Sequence, residues 1–286
     1  ELEHAVALGL RSGFGDDWLR IGSLKAFADG ALGPHTAAML QPYENEPDNL
    51  GMLMIEREEM FERGRLAVEN GFSLAVHAIG DRANHEILNA FDQLRDYEMR
   101  LQTTDGRPQT AAQRPLRHRI EHVQLLHPTD APRLAQLGVI ASMQPIHAIS
   151  DMKMADEFWG GRAAHAYAWR TQLQHGAQLA FGSDAPVDSP NPFWGLHAAV
   201  TRRRANGDPA PEGWYPAQRL TISEALHAYT QAPAFAAGLE DRLGKLAPGH
   251  LADLLVLDED PFACEPEALR EIRPSAVMIG GEWVVG

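Results

Sequence analysis

A carboxylate and two imidazoles stand at the ends of short apolar segments in this chain. Asp184 follows Leu179-Ala180-Phe181 across a Gly-Ser pair, and His77 and His122 each end a strand-like segment. Polar side chains at strand ends, each followed by a loop and a helix, are typical of the catalytic face of a (β/α) barrel. Two imidazoles and one carboxylate are suitable ligands for a divalent metal such as zinc, and a carboxylate can also transfer a proton.

Lys25 is a fourth candidate, at the end of another apolar segment, Ile21–Phe27. The chain has only two other lysines, Lys153 and Lys245, so a lysine at this place is unusual for this sequence. Each candidate alone has a simpler interpretation: strand-end histidines often hydrogen bond in a core, Asp favours turns, and Lys25 could pair with a nearby acid. The order of the four along successive strands favours a joint site.

His147 is the candidate for substrate contact. It lies just past Gln144-Pro145, at the end of the apolar segment Val139–Met143. Its simpler interpretation is a solvated loop residue.

A competing motif, His-x-x-Glu-His, spans His118 to His122. On a helix this spacing would put both imidazoles on one face, as inverted zinc metallopeptidases require. The alternation of His118, Ile120 and His122 with polar or charged neighbours predicts a strand instead, on which the two histidines are about 13 Å apart. The metallopeptidase alternative therefore requires residues 118–122 to be helical.

The elements that would position these residues alternate between strands and helices. Five strand–helix units are recognisable, which indicates a parallel sheet with helices outside it, whereas a closed barrel needs eight. The long stretch from Ala28 to Leu53 has no clear period, and loops of that length are often functional lids. Three strand-like segments follow Gly238 without long helices between them. We expect a partial barrel over residues 1–238 and a small β element over residues 239–286.

The composition of the chain limits the classes of molecule that it is expected to bind. The chain has 286 residues and a formal net charge of -14, which disfavours nucleic acid as a partner because the phosphate backbone would be repelled. Cys264 is the only cysteine, which favours a reducing, cytoplasmic compartment, and no apolar run approaches the roughly 20 residues of a membrane span. We expect a small-molecule substrate and leave a homo-oligomer open. Because the chain starts at Glu1 without a methionine, we expect either that residues were removed or that it is a piece of a longer protein.

Five ordered blocks carry a resemblance to a known family: Lys25–Gly33 (KAFADGALG), Val76–Ala83 (VHAIGDRA), Arg119–Gln124 (RIEHVQ), Phe181–Val187 (FGSDAPV) and Gly244–Asp258 (GKLAPGHLADLLVLD). Together they resemble amidohydrolase family 3 of the amidohydrolase superfamily, which includes enzymes like N-substituted formamide deformylase. The resemblance implies an α/β fold, the metal-dependent (β/α)8 TIM-barrel type, with a small β-sandwich built from both chain ends.

The resemblance also implies roles for single residues. His77 and His122 would be metal ligands, Asp184 a ligand and the proton-transfer group, and Lys25 the bridging lysine, with its carboxylation left open. Superfamily members carry a His-x-His pair at the first barrel strand, and this sequence has none. We therefore expect this chain to be the carboxyl-terminal half of a longer enzyme and to lack the first strands. The full-length enzyme would bind one or two metal ions, and this chain would supply the ligands of about one.

The implied activity is hydrolysis of an amide or related C–N bond of a small molecule through a metal-activated water, with zinc as the expected metal. The alternative from another class is a non-catalytic fragment or interaction module of the same fold. An upstream His-x-His pair in the gene would favour the enzyme, and its absence would favour the module.

Overall fold

The strands that end in the candidate residues belong to one parallel sheet. The computed structural model describes residues 2–104 and 116–286. Within them, the sheet has five strands that lie side by side in chain order. They are β1 (Leu24–Phe27), β2 (Leu74–Ala78), β3 (Arg119–His122), β4 (Ile140–Met143) and β5 (Leu179–Phe181). The predicted strands are confirmed, although β1 starts three residues later than the apolar segment suggests.

Helices follow the strands as the alternation predicts. They are α1 (Leu2–Ala7), α2 (Arg57–Glu69), α3 (Asp81–Thr104), α4 (Arg133–Leu137), α5 (Pro145–Trp159), α6 (Trp169–Gln174), α7 (Pro192–Thr201), α8 (Ile222–Tyr229) and α9 (Gln231–Ala236). No helix in residues 2–104 or 116–286 is both long and apolar enough to cross a membrane. The polar stretch Thr103–Pro115, which the sequence predicts to be a loop, lies largely outside the described residues.

Helix α5 corrects the interpretation of His147 as a solvated loop residue. Pro145 does not interrupt the chain after β4 but begins a 15-residue helix. Proline is well tolerated at the first helical position, because its missing N–H would have no partner in the helix there. His147 consequently lies in the first turn of α5 and is only 6% exposed.

The described residues fall into two compact units, both of which include part of β4. The first unit contains β1, β2, β3 and the helices α2 and α3, with Leu74, Val76 and Ile120 buried in its core. The second contains β5, the helices α7, α8 and α9 and the chain end, with Trp169 and Phe181 in edge-to-face contact. The sequence-based boundary at residue 238 stays a prediction.

The Ala28–Leu53 segment, expected to be a lid, is tied to the sheet of the first unit. The backbone of Met54 donates to the Ala28 carbonyl at 2.7 Å, and the backbone of Arg82 donates to the Ala38 carbonyl at 3.1 Å. Gly80 permits this approach, since a Cβ there would lie 1.9 Å from the Ala38 carbonyl oxygen. A segment held by such bonds forms a fixed wall at the end of β2.

The strands expected near the chain end are confirmed in the second unit. They are β6 (Leu254–Leu257), β7 (Pro274–Ile279) and β8 (Glu282–Val285), which form an antiparallel sheet in the order β6-β7-β8. Gly280 and Gly281 link β7 to β8, and both have the positive φ that a tight turn between antiparallel strands requires.

Candidate metal centre

His77 lies on β2 with its ring directed at the backbone of the Ala28–Leu53 segment. Its Nε2 is 2.7 Å from the Gly30 carbonyl oxygen, which can only accept, so this nitrogen carries the hydrogen. The same Nε2 is 3.6 Å from an Asp29 carboxylate oxygen. A metal on Nε2 would therefore have to replace the hydrogen bond to Gly30.

His122 is the last residue of β3 and has a φ of 79°. Positive φ is uncommon for a residue with a side chain and recurs at functional sites, where the surrounding structure holds it. The His122 ring is buried and meets the His77 ring edge to face, with 4.7 Å between the centroids. The two strand-end histidines are thus neighbours, as their predicted shared site requires.

Lys25 lies on the exposed side of β1, and its Nζ is 5.0 Å from the centroid of the Phe27 ring. Lysine over an aromatic face gains a modest cation–π attraction. The register of the sheet places Lys25 opposite Ala75 and Phe27 opposite His77. Lys25 and His77 therefore lie on the same side of the sheet, two residue positions apart along the strand direction.

Asp29 is the acid near Lys25 in the sequence, and it is buried. Its carboxylate accepts backbone N–H groups from Ala38 at 2.9 Å, Ile79 at 3.0 Å and Gly80 at 2.8 Å. Burial raises the pKa of Asp29 to about 7, while the three N–H donors act in the opposite direction. The sequence signal was weak, an Asp-Gly pair after an apolar run, because all three donors come from distant positions.

In the second unit, His147 lies between two carboxylates. Its Nδ1 is 2.9 Å from an oxygen of Asp188, and its Nε2 is 3.3 Å from an oxygen of Asp184. The Asp184 side chain is 41% exposed, whereas that of His147 is 8% exposed. Asp184 has a φ of 56°, another positive value at a residue with a side chain.

These residues fit a divalent cation. His122, His147 and Asp184 each offer one ligand atom, and the three atoms lie within 4.8 Å of one another. Two ligands that bind one tetrahedral zinc ion at about 2.1 Å are about 3.4 Å apart. The 3.3 Å between His147 Nε2 and Asp184 Oδ2 matches that spacing. This is a possible His/His/Asp metal site in the part of the chain that the structure describes.

The group shares His122 and Asp184 with the sequence-based set, includes His147, and contains neither His77 nor Lys25. His147 was expected to contact substrate because it follows the end of a strand. The assignments of His77, His122, Asp184 and Lys25 as ligands, and of His147 as a substrate contact, stay predictions.

The metallopeptidase alternative is wrong, because residues 119–122 form strand β3 and not a helix. His118, the first histidine of that motif, is fully buried. Its Nδ1 accepts the backbone N–H of Leu74 at 3.0 Å, so its Nε2 donates to Glu98 at 3.1 Å. Burial lowers the pKa of His118. His118 is therefore a core residue with both ring nitrogens hydrogen bonded.

Known proteins with similar sequences and structures agree with this picture. A family model described as "Amidohydrolase family" matches residues 1–285. The chain is 34% identical over 270 residues to the protein LONG AFTER FAR-RED 3 of Arabidopsis thaliana, covering 93% of this chain and 43% of the relative. It is 28% identical over 265 residues to N-substituted formamide deformylase of Arthrobacter pascens, covering 92% of this chain and 45% of that enzyme.

A solved structure supports the fold. An uncharacterized metal-dependent hydrolase from Pyrococcus horikoshii OT3 superposes with a TM-score of 0.78 at 30% identity, covering 93% of this chain and 50% of that one. The expected TIM-barrel-type amidohydrolase fold is confirmed, and the chain spans half or less of the length of these relatives. With a family model matched along its whole length, the chain belongs to amidohydrolase family 3, a family of metal-dependent hydrolases.

Proposed function

We propose that this chain carries part of the active site of a zinc-dependent hydrolase that cleaves an amide or related C–N bond of a small molecule in the cytoplasm. The observation that carries the proposal is the group His122, His147 and Asp184, whose ligand atoms lie within 4.8 Å of one another. Imidazole nitrogen and carboxylate oxygen are the donor types of catalytic zinc sites, which use three protein ligands and leave one position open.

In this proposal His122 and Asp184 are two of the ligands, and His147 is the third. His147 is favoured over His77 because its ligand atom is the one that lies together with those of His122 and Asp184. His77 uses its Nε2 to donate to the Gly30 carbonyl, which leaves Nδ1 as its ligand atom. Lys25 remains the proposed bridging lysine for a second ion, on the same side of the sheet as His77.

The proposed chemistry divides between the ion and the protein. When bound, zinc lowers the pKa of a coordinated water to about 7 and polarises a carbonyl oxygen. Asp184 accepts the proton of the attacking water through a carboxylate oxygen and returns it to the leaving nitrogen. Its side chain is 41% exposed, so solvent and substrate can reach it. His77 lies against the His122 ring, and with the Gly30 carbonyl it forms a wall at which substrate would bind.

The second candidate function is a non-catalytic module that keeps the family's fold. A fold can be retained without its chemistry, so family membership alone does not distinguish the module from the enzyme. In this case His122, His147 and Asp184 would still lie together but would not turn over substrate. Zinc binding alone therefore does not decide between the two functions.

A paired measurement of zinc content and hydrolysis tests the proposal. The purified chain is loaded with zinc, dialysed, and assayed on N-formyl and N-acyl amides beside the variants His122→Ala and Asp208→Asn. Asp208 is the matched control, since it pairs with Lys153 at the surface, at 3.1 Å. If the wild-type chain and Asp208→Asn retain zinc and hydrolyse the amides while His122→Ala does neither, the enzyme is supported. Zinc retention without turnover supports the module.

A further inference from the structure

Asp188 is a carboxylate with two donors and no role in the chemistry proposed above. It lies four residues after Asp184, before α7, and one of its oxygens faces two side chains of α5. His147 Nδ1 is 2.9 Å from Asp188 Oδ2, and the hydroxyl of Ser150 donates to the same oxygen at 3.3 Å. All these residues belong to the second unit.

The hydrogen bond between Asp188 and His147 determines which ring nitrogen of His147 carries the hydrogen. An ionised carboxylate can only accept, so a ring nitrogen at 2.9 Å from Asp188 must carry the hydrogen. In the neutral ring the other nitrogen, Nε2, then has a lone pair. That lone pair points at Asp184 Oδ2, 3.3 Å away, which is also an acceptor. Two acceptors at this distance repel each other unless a cation, a metal ion or a proton, lies between them.

We propose that Asp188 is a positioning residue that holds His147 in the Nδ1–H form and so presents its Nε2 lone pair to a zinc ion shared with Asp184. The proposal rests on the function proposed above and deepens it, because it assigns the group that selects which nitrogen binds. Carboxylates that accept from the second nitrogen of a ligating histidine typically contribute about 10- to 100-fold to metal affinity.

Helix α5 shows how the chain builds this arrangement. Ser150 and Asp151 lie three and four residues after His147, so both are neighbours of His147 on the surface of α5. The Asp151 carboxylate accepts from the hydroxyl of Tyr167, whose side chain is buried. Asp151 thereby helps to hold α5 in the orientation that directs His147 towards Asp188. Asp188 in turn determines which ring nitrogen of His147 carries the hydrogen.

The test measures zinc affinity and the imidazole tautomer in the same variants. Asp188→Ala removes the acceptor, Asp188→Glu restores a carboxylate, and Asp208→Ala removes a surface carboxylate as the matched control. Zinc affinity is measured by competition with a chelator, and the tautomer by the ring ¹⁵N shifts of His147, assigned by their loss in His147→Gln. Thermal melting checks that each variant is folded.

We expect Asp188→Ala to lose about 10- to 100-fold in zinc affinity and to shift the zinc-free His147 ring towards Nε2–H, with partial recovery in Asp188→Glu and no change in Asp208→Ala. A wild-type tautomer that is Nε2–H, or one that Asp188→Ala leaves unaltered, overturns the inference even if zinc affinity falls. Unchanged zinc affinity in Asp188→Ala also overturns it.

Failure of the proposed function is recognised separately. If the wild-type chain binds no zinc, that function fails at this site, and the tautomer alone decides the role of Asp188. If the His147 ring is Nδ1–H in the wild type and changes in Asp188→Ala, Asp188 positions His147. If the tautomer does not change in Asp188→Ala, the inference is wrong.

Discussion

His77 and His122 lie ring against ring, with 4.7 Å between their centroids, although the strand register does not pair them. In that register His77 lies opposite Glu121, and His122 lies opposite Ala78. Side chains of successive strand residues point to opposite faces, so an extended His122 would face away from His77. The φ of 79° at His122 departs from extended geometry at the last strand residue and accompanies the contact. The contact thus depends on a backbone conformation that a sequence pattern does not show.

The proposed ligand set predicts how single substitutions affect zinc. We expect His147→Ala and His122→Ala each to reduce bound zinc strongly, because three protein ligands become two. We expect His77→Ala to retain most of it, since His77 is not one of the three residues whose ligand atoms lie within 4.8 Å of one another. Elemental analysis after dialysis measures the difference. If His77→Ala empties the site and His147→Ala does not, the ligand set first expected from the sequence is the correct one.

The stoichiometry of wild-type zinc binding is a separate prediction. We expect binding of at most about one ion per chain, below a binuclear complement, because the described residues bring together three candidate ligands. Isothermal titration with zinc, with Asp208→Asn as control, gives the number directly. Tight binding of two ions would show that further ligands in the chain have been overlooked.

Asp184→Asn should retain the fold and lose most of the turnover. A neutral amide cannot take the proton of the attacking water, and loss of general acid–base help typically costs about 100- to 10,000-fold in kcat. The assay uses saturating zinc and N-formyl or N-acyl amides, with thermal melting to establish folding. Turnover of the variant at the wild-type rate would mean that Asp184 serves only the turn after β5.

Asp29→Ala should destabilise the first unit. The substitution leaves the backbone N–H groups of Ala38, Ile79 and Gly80 without their acceptor. Each buried donor left unpaired costs about 1–3 kcal/mol, so we expect a loss of about 3 kcal/mol or more in the free energy of unfolding. Urea unfolding measures it. The matched control is Asp16→Ala, which removes a carboxylate that accepts the backbone N–H groups of Trp18 and Leu19 at an exposed site and should have a small effect. Equal losses in both variants would contradict the prediction.

His197 should make stability depend on pH. Burial lowers its pKa from 6.5 to about 4, with Arg270 and Arg203 acting in the same direction and Glu267 opposing them. Between these two values the unfolded chain binds a proton that the folded chain does not. This contribution to stability is therefore fully present above about pH 6.5 and is lost as the pH falls towards about 4. Urea unfolding at about pH 7.5 and about pH 5 should show a smaller decrease for His197→Gln than for wild type. An equal decrease would rule out His197 as the cause.

The sequence predicted the elements that depend on local pattern. The apolar runs before Asp184 and His77 correctly located β5 and β2, because a buried parallel strand is a short continuous apolar segment. The alternation of His118, Ile120 and His122 with polar or charged neighbours located β3. The first turn of the helix after Arg219 was also predictable, since Thr221 and Glu224 form a capping box. The metal-capable His122 and Asp184 followed from their strand ends.

Contacts between residues that are far apart in the sequence were not predictable. His147 meets Asp188 across 41 residues, and Asp29 meets Gly80 across 51 residues. Neither pairing leaves a periodic trace in the sequence. The start of α5 at Pro145 was missed because the same residue can end a strand or begin a helix, and only its backbone environment decides.

The hydrogen bonds that tie the Ala28–Leu53 segment to the end of β2 also affect the thermodynamics of association. A loop that must order around its substrate loses conformational entropy at that moment, which weakens binding and slows it. Here Asp29, Gly80 and the Ala38 carbonyl already hold the segment before any substrate arrives. A molecule that contacts this wall should therefore associate with a small entropic cost from the protein. Selectivity should then come from the fixed shape of the wall rather than from closure around the ligand.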